Sequence, residues 1–197
     1  MSDMSKLGNH RHFNTKELSL IAIFASVWIT SQLYLGPIVG RLTTMHGMVE
    51  RVVGWLLMVI LAKLTGRFGR VSIMTAIATL VTRLIRVSAL EGLVVGLGYA
   101  LGGLTFDLMF FAPLVNNFQG KTEKAYLLTI AIISGGIAFI PYLVLTFSLL
   151  GLYGFIAWIP LNVYRLIKDI VLSGLGVFLG LLIIPQIKGF VKERIVL

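Results

Sequence analysis

Between residues 17 and 185 the chain offers six apolar runs, at about 17–35, 43–64, 71–89, 90–113, 124–149 and 161–185, separated by short polar or glycine-bearing turns. A helix rises ~1.5 Å per residue, so about twenty apolar residues cross a bilayer core of ~30 Å. Runs of this length predict an all-α integral membrane protein with six transmembrane helices. Composition agrees: of 197 residues, 57% are hydrophobic and 13% charged, and the mean hydropathy is +0.95. The expected organisation is a single six-helix domain over 17–187, flanked by basic tails at 1–16 and 188–197. No cleavable signal peptide is expected, because the tail from Met1 to Lys16 is polar and the first apolar run is long and lacks a small-residue cleavage site. The chain has no cysteine, which removes disulfides, thiolate nucleophiles and cysteine-ligated metals from consideration.

Orientation follows from the cations. With both termini in the cytoplasm, the inner loops and tails hold Lys6, Arg11, Lys16, Lys63, Arg67, Arg70, Lys121, Lys124, Lys188, Lys192 and Arg194. The rest, Arg41, Arg51, Arg83, Arg86, Arg165 and Lys168, fall in outer turns or the outer halves of spans two, three and six. This bias predicts both ends cytoplasmic. The net charge of +9 thus speaks first of topology in a membrane, not of nucleic acid.

Charges at membrane depth are costly and normally face the bundle interior. In span two, Thr43, His46, Glu50 and Gly54 share one face, with Arg51 on the neighbouring one. In span six, Asn162, Arg165, Asp169 and Ser173 share another, and Arg165 and Asp169 can pair along the helix. Span three ends on Arg83 and Arg86, and Glu91 opens span four. An outward-facing pocket lined by His46, Glu50, Arg51, Arg83, Glu91, Asn162, Arg165 and Asp169 is expected to bind a small molecule, since the excess of cations over carboxylates suits an anionic ligand group. A closed network of ion pairs, or exposure of the cations to water and headgroups, is the competing account.

Small residues mark two helices for close packing. Gly92, Gly96, Gly98, Gly102 and Gly103 lie in the fourth span, within RLIRVSALEGLVVGLGYALGGLTFD, and spacing-four glycines let a second helix approach. In span one, Ala22, Ser26 and Thr30 form a stripe, and Gly36-Pro37 is expected to break that helix. Gly135-Gly136 and Pro141 are expected kink points in span five. The uncharged segment 150–160, with Tyr153, Phe155 and Trp158, reads as an aromatic belt at the interface, or as a lid.

No enzyme is indicated. Walker A, HExxH and GxSxG sequences are absent, and Gly96-Leu97-Gly98 with Gly102 lacks the β-strand a dinucleotide fingerprint requires. Three histidines, two of them in the N-terminal tail, make a poor metal site, and no metal or other cofactor is expected.

About 200 residues, six spans, both ends inside, a small-residue first helix and outward-clustered charges together resemble the substrate-binding S component of an energy-coupling factor (ECF) vitamin transporter. Ala22-Ile-Phe-Ala25-Ser26 is similar to that family's AxxxA-type helix, with Ser26 where the second alanine would stand. Within the family, GLVVGLGYALGG looks most like the thiamine-precursor (hydroxymethylpyrimidine) group. The resemblance implies a multi-pass protein of the cell membrane, a water-soluble vitamin or precursor as substrate, and three partners: a transmembrane coupling subunit, docked on Ala22, Ser26 and Thr30, and two ATPases. The alternative is a stand-alone secondary transporter or channel, with Glu50 or Asp107 as proton relay.

Overall fold

A computed structural model describes residues 13–43, 47–85, 90–112 and 120–195, with the side chains at 43, 90, 91 and 188–195 left aside. The described chain is all-helical. Helix α1 (Thr15–Thr30) passes through a π-helical turn (Ser31–Leu35) into α2 (Gly36–Thr43). Then follow α3 (Met48–Thr65), α4 (Arg70–Ile85), α5 (Leu90–Phe110), α6 (Lys121–Ala157) and α7 (Ile159–Ile195). Four helical stretches are long and apolar enough to cross a membrane: Thr15–Leu42, Gly92–Phe110, Lys121–Ala157 and Ile159–Ile187. Helix α4 is short, at 16 residues, and α3 carries Glu50, Arg51 and Lys63 within its 18.

One local expectation is corrected. Gly36-Pro37 does not break the first helix. The Gly36 amide donates to the Ser31 carbonyl, five residues back, so the turn widens where proline removes a donor and the helix continues. Gly135-Gly136 and Pro141, the expected kink points, lie inside α6, whose one non-helical residue is Gly151, at φ 65° and ψ −175°. A positive φ of this kind suits glycine, and the chain turns there without a long loop. The segment 150–160 is accordingly mostly helical, leaving only Trp158 between α6 and α7. Tyr153, 88% exposed, projects from this tip.

Helix α5 is central because its glycines admit neighbours on two sides. A Cβ at Gly98 would lie 2.2 Å from the Ala138 carbonyl oxygen of α6, and one at Gly103 would lie 2.3 Å from the Thr75 hydroxyl of α4. The close approach read from the glycine spacing is therefore present. Trp28, Trp55, Met58, Met74, Phe106 and Ile130 fill the interior, while the outer faces show Leu, Ile, Val and Phe. Apolar outer faces suit lipid, which demands no polar rim.

The two ends of the bundle differ. At one end Glu17 takes ion pairs from Arg70 (2.8 Å) and Arg67 (3.0 Å), Lys63 pairs with Glu123, and the Arg70 guanidinium lies 4.2 Å from the Phe13 ring centroid. The opposite end gathers Glu50, Arg51, Tyr99, Asp169 and Arg165.

Candidate functional site

The site is built on α3, α5, α6 and α7 at the Glu50 end. Arg51 lies in the first turns of α3, and its Nη2 pairs with Asp169 Oδ2 of α7 at 2.9 Å. Both side chains are about nine-tenths buried, at 11% and 8% exposure. The guanidinium lies 5.1 Å from the Tyr99 ring centroid of α5. Tyr99 in turn meets Trp28 edge to face at 5.5 Å, and the Trp28 indole N–H donates to the Glu50 carbonyl at 2.9 Å. Two aromatic rings thus fix the height of α3 against α1 and α5. Tyr99 lies within electrostatic reach of Arg51, Glu50, Asp169 and Arg83 together.

The other expected site residues divide. The Glu50 side chain packs on Gly36, where a Cβ would lie 2.1 Å from Oε1. That of Arg83 packs along Gly96, with Cγ and Nε each 3.3 Å from where a Cβ would stand. Asn162 is buried at 3% exposure, on the Asp169 face of α7. His46 lies outside the described residues, as does Arg86, and Glu91 is placed only by its backbone in α5. The pairing of Arg165 with Asp169 along α7 is corrected. Asp169 is held by Arg51, and Arg165 donates instead to the Tyr142 hydroxyl of α6, its guanidinium 5.1 Å from that ring's centroid. Both faces of α3 turn to other helices. The Glu50–Gly54 face meets α1, with Gly54 against the Trp28 ring, and the Arg51 face turns to α5 and α7.

Several buried polar atoms on these helices lack partners. Arg51 Nη1, Trp55 Nε1, Ser134 Oγ, Gln32 Nε2 and both Asn162 side-chain atoms are buried without a hydrogen-bond partner. Trp55 and Ser134 meet around Gly102, whose Cβ would lie 3.7 Å from the indole and 3.3 Å from the Ser134 carbonyl oxygen. Native interiors satisfy nearly all such atoms, with protein or with something bound. Trp55, Tyr99, Ser134 and Tyr142 were not among the residues picked from sequence. For Trp55 a signal existed, since it stands four residues after Arg51 and so shares its face. Tyr99, Ser134 and Tyr142 look like ordinary members of apolar helices. Among the described residues no three His, Asp or Glu side chains gather as metal ligands.

Asp107, the other carboxylate considered for proton transfer, lies toward the Glu17 end. It is fully buried, and its Oδ2 accepts from the Ser72 amide at 3.0 Å and the Ser72 hydroxyl at 2.8 Å. Ser72 is in the first turn of α4, so Asp107 caps that helix from a neighbouring one. Asp107→Ala is expected to lower stability by about 0.5–2 kcal/mol, the range for a lost N-cap, read as a lower melting temperature. A proton relay would instead show transport lost in Asp107→Asn at an unchanged melting temperature.

Set against models of protein families, curated proteins and solved structures, the chain matches none of them.

Proposed function

We propose that this chain is the membrane-embedded, substrate-binding S component of an ECF-type ABC importer for a small water-soluble vitamin or vitamin precursor, with the thiamine precursor hydroxymethylpyrimidine as first candidate. In this reading the protein is a multi-pass one of the cell membrane with six spans, the cation bias supports cytoplasmic termini, and the Glu50 end faces outward. The observation that carries the binding role is the set of buried, unpartnered polar atoms, Arg51 Nη1 and both Asn162 side-chain atoms among them, beside the buried Arg51–Asp169 pair. A polar interior in an otherwise apolar bundle is costly unless it is used, and small-molecule sites combine apolar walls with a few such groups.

Energy comes from partners, since the chain has no ATP-binding motif. The coupling subunit docks on α1, where Ala22, Ser26 and Thr30 are all exposed. The Ser26 hydroxyl donates to the Ala22 carbonyl at 2.8 Å, so that donor is already satisfied against an apolar partner. The two ATPases act through that coupling subunit.

The test is Ala22→Trp and Ser26→Trp, assayed for uptake with the coupling subunit and ATPases and for ligand retention by the isolated chain. Uptake is expected to fall to background while retention stays near wild type, because a bulky side chain holds apart the docking helices and touches nothing in the interior. Loss of both together, or of neither, would refute docking at this stripe.

A further inference from the structure

The charges at the Glu50 end are largely engaged with the protein itself. Asp169 neutralises Arg51, and Arg165 is engaged by the Tyr142 phenol. What remains unpartnered is mostly neutral, and most of it donates. Gln32 Nε2, Trp55 Nε1 and Asn162 Nδ2 carry N–H groups, as does Arg51 Nη1; Asn162 Oδ1 accepts, and Ser134 Oγ can do either. Asn162 is the most telling of these. It is only 3% exposed, and both ends of its carboxamide lack a partner, so the conclusion is the same whichever way the amide is turned.

Asn162, Asp169 and Ser173 are buried on one face of α7. Arg51 and Trp55 are one turn apart on α3, with Arg51 reaching Asp169 and the Trp55 ring close to Gly102, as is the Ser134 backbone carbonyl. Asn162 and Asp169 are ~10 Å apart along the helix axis, within the length of one small molecule.

An anion would meet the Asp169 carboxylate beside Arg51, at a cost that rises in a low-dielectric interior. A neutral ligand avoids it. A primary carboxamide is matched by an edge that sets a donor beside an acceptor, as Asn does with adenine. We infer that the buried carboxamide of Asn162 takes a neutral molecule with an amide-type edge, such as a lactam, carboxamide or amino-azaheterocycle. Asn162 reads that edge by two hydrogen bonds, and further acceptor atoms of the ligand face Arg51 Nη1 and the Trp55 indole N–H. This departs from the anionic ligand that the cation excess suits, and it rests on the substrate-binding role proposed above.

The experiment uses the full chain in lipid nanodiscs. Uracil, cytosine and nicotinamide are tested beside the anions orotate and nicotinate by equilibrium dialysis and thermal shift, and small molecules retained from the expressing cells are identified by native mass spectrometry. Wild type is expected to bind one or more neutral amide-edged compounds, as probe or as retained molecule, and to reject the matched anions. Asn162→Leu should weaken that binding roughly tenfold or more, by removal of both hydrogen bonds. The ligand-free variant should melt at or above the wild-type temperature, because it loses an unpartnered buried amide and keeps its volume. Asn162→Asp, which keeps the acceptor and adds charge, should not rescue binding. Binding of the anions alone would overturn the neutral edge and leave the substrate-binding role standing. Retention of no small molecule of any kind would overturn both. Unchanged ligand affinity in Asn162→Leu, with a lower melting temperature, would assign the amide to internal packing or to bound water, and would overturn its recognition role.

Discussion

Arg51→Leu and Asp169→Leu are each expected to destabilise the protein by about 3–5 kcal/mol, the cost of stranding one member of a buried ion pair. Arg51 Nη2 and Asp169 Oδ2 stand 2.9 Å apart, with side chains 11% and 8% exposed, so solvent cannot take over the role of a missing partner. Loss of Arg51 also uncovers one face of the Tyr99 ring, 5.1 Å away. The double variant Arg51→Leu/Asp169→Leu should recover most of the loss, since two apolar side chains of sufficient volume replace a pair whose mutual attraction is largely offset by desolvation. The check is a double-mutant cycle of thermal unfolding in one detergent, read as melting temperatures. Two single variants close to wild type would mean that the pair is hydrated in the folded protein. A double variant as unstable as the worse single would mean that Arg51 contributes through Tyr99 rather than through Asp169.

The second large effect lies in the helix packing. Gly98→Ala is expected to cost about 1–3 kcal/mol, the usual range for overpacking a dense interior. Its Cβ would sit 2.2 Å from the Ala138 carbonyl oxygen, a backbone atom with no rotamer into which to retreat. Helix α5 or α6 must therefore shift, and with it Tyr99, one residue along from Gly98 and the ring on which Arg51 rests. Gly136→Ala is the matched control. It is mid-helix in α6 with nothing within 4 Å of the added Cβ, so alanine's better helix propensity should raise stability by up to about 1 kcal/mol. Opposite signs for two glycine-to-alanine changes on facing helices would be hard to obtain from a general loosening of the bundle. A fall in melting temperature for both would place the cost outside the α5–α6 contact.

The sequence was informative wherever the cause is local. Long apolar runs determine helices, because a backbone in hydrocarbon must satisfy its own hydrogen bonds. Spacing-four glycines in 92–103 announced a close helix contact, and Gly98 makes one against Ala138. The i, i+3, i+4 rule placed Asn162, Asp169 and Ser173 on one face of α7, and all three are buried. The exposed stripe of Ala22, Ser26 and Thr30 was legible for the same reason.

Only the tertiary structure decided which face met which helix. Glu50 and Arg51 are adjacent in sequence and so point about 100° apart around α3. Periodicity cannot say which of the two faces the centre, because that depends on how α3 is rotated against its neighbours. The rotation is held by groups far apart in the chain: the Trp28 indole on the Glu50 carbonyl, the Trp28 ring on Gly54, and Asp169 on Arg51. The same holds for Asp169, which had a plausible partner one turn away in Arg165 and took one from another helix instead. A pair along one helix was open to inspection in the sequence. A pair between helices exists only once their heights and rotations are set, and the same packing buries Asn162, Trp55 and Ser134 with donors and acceptors unpartnered.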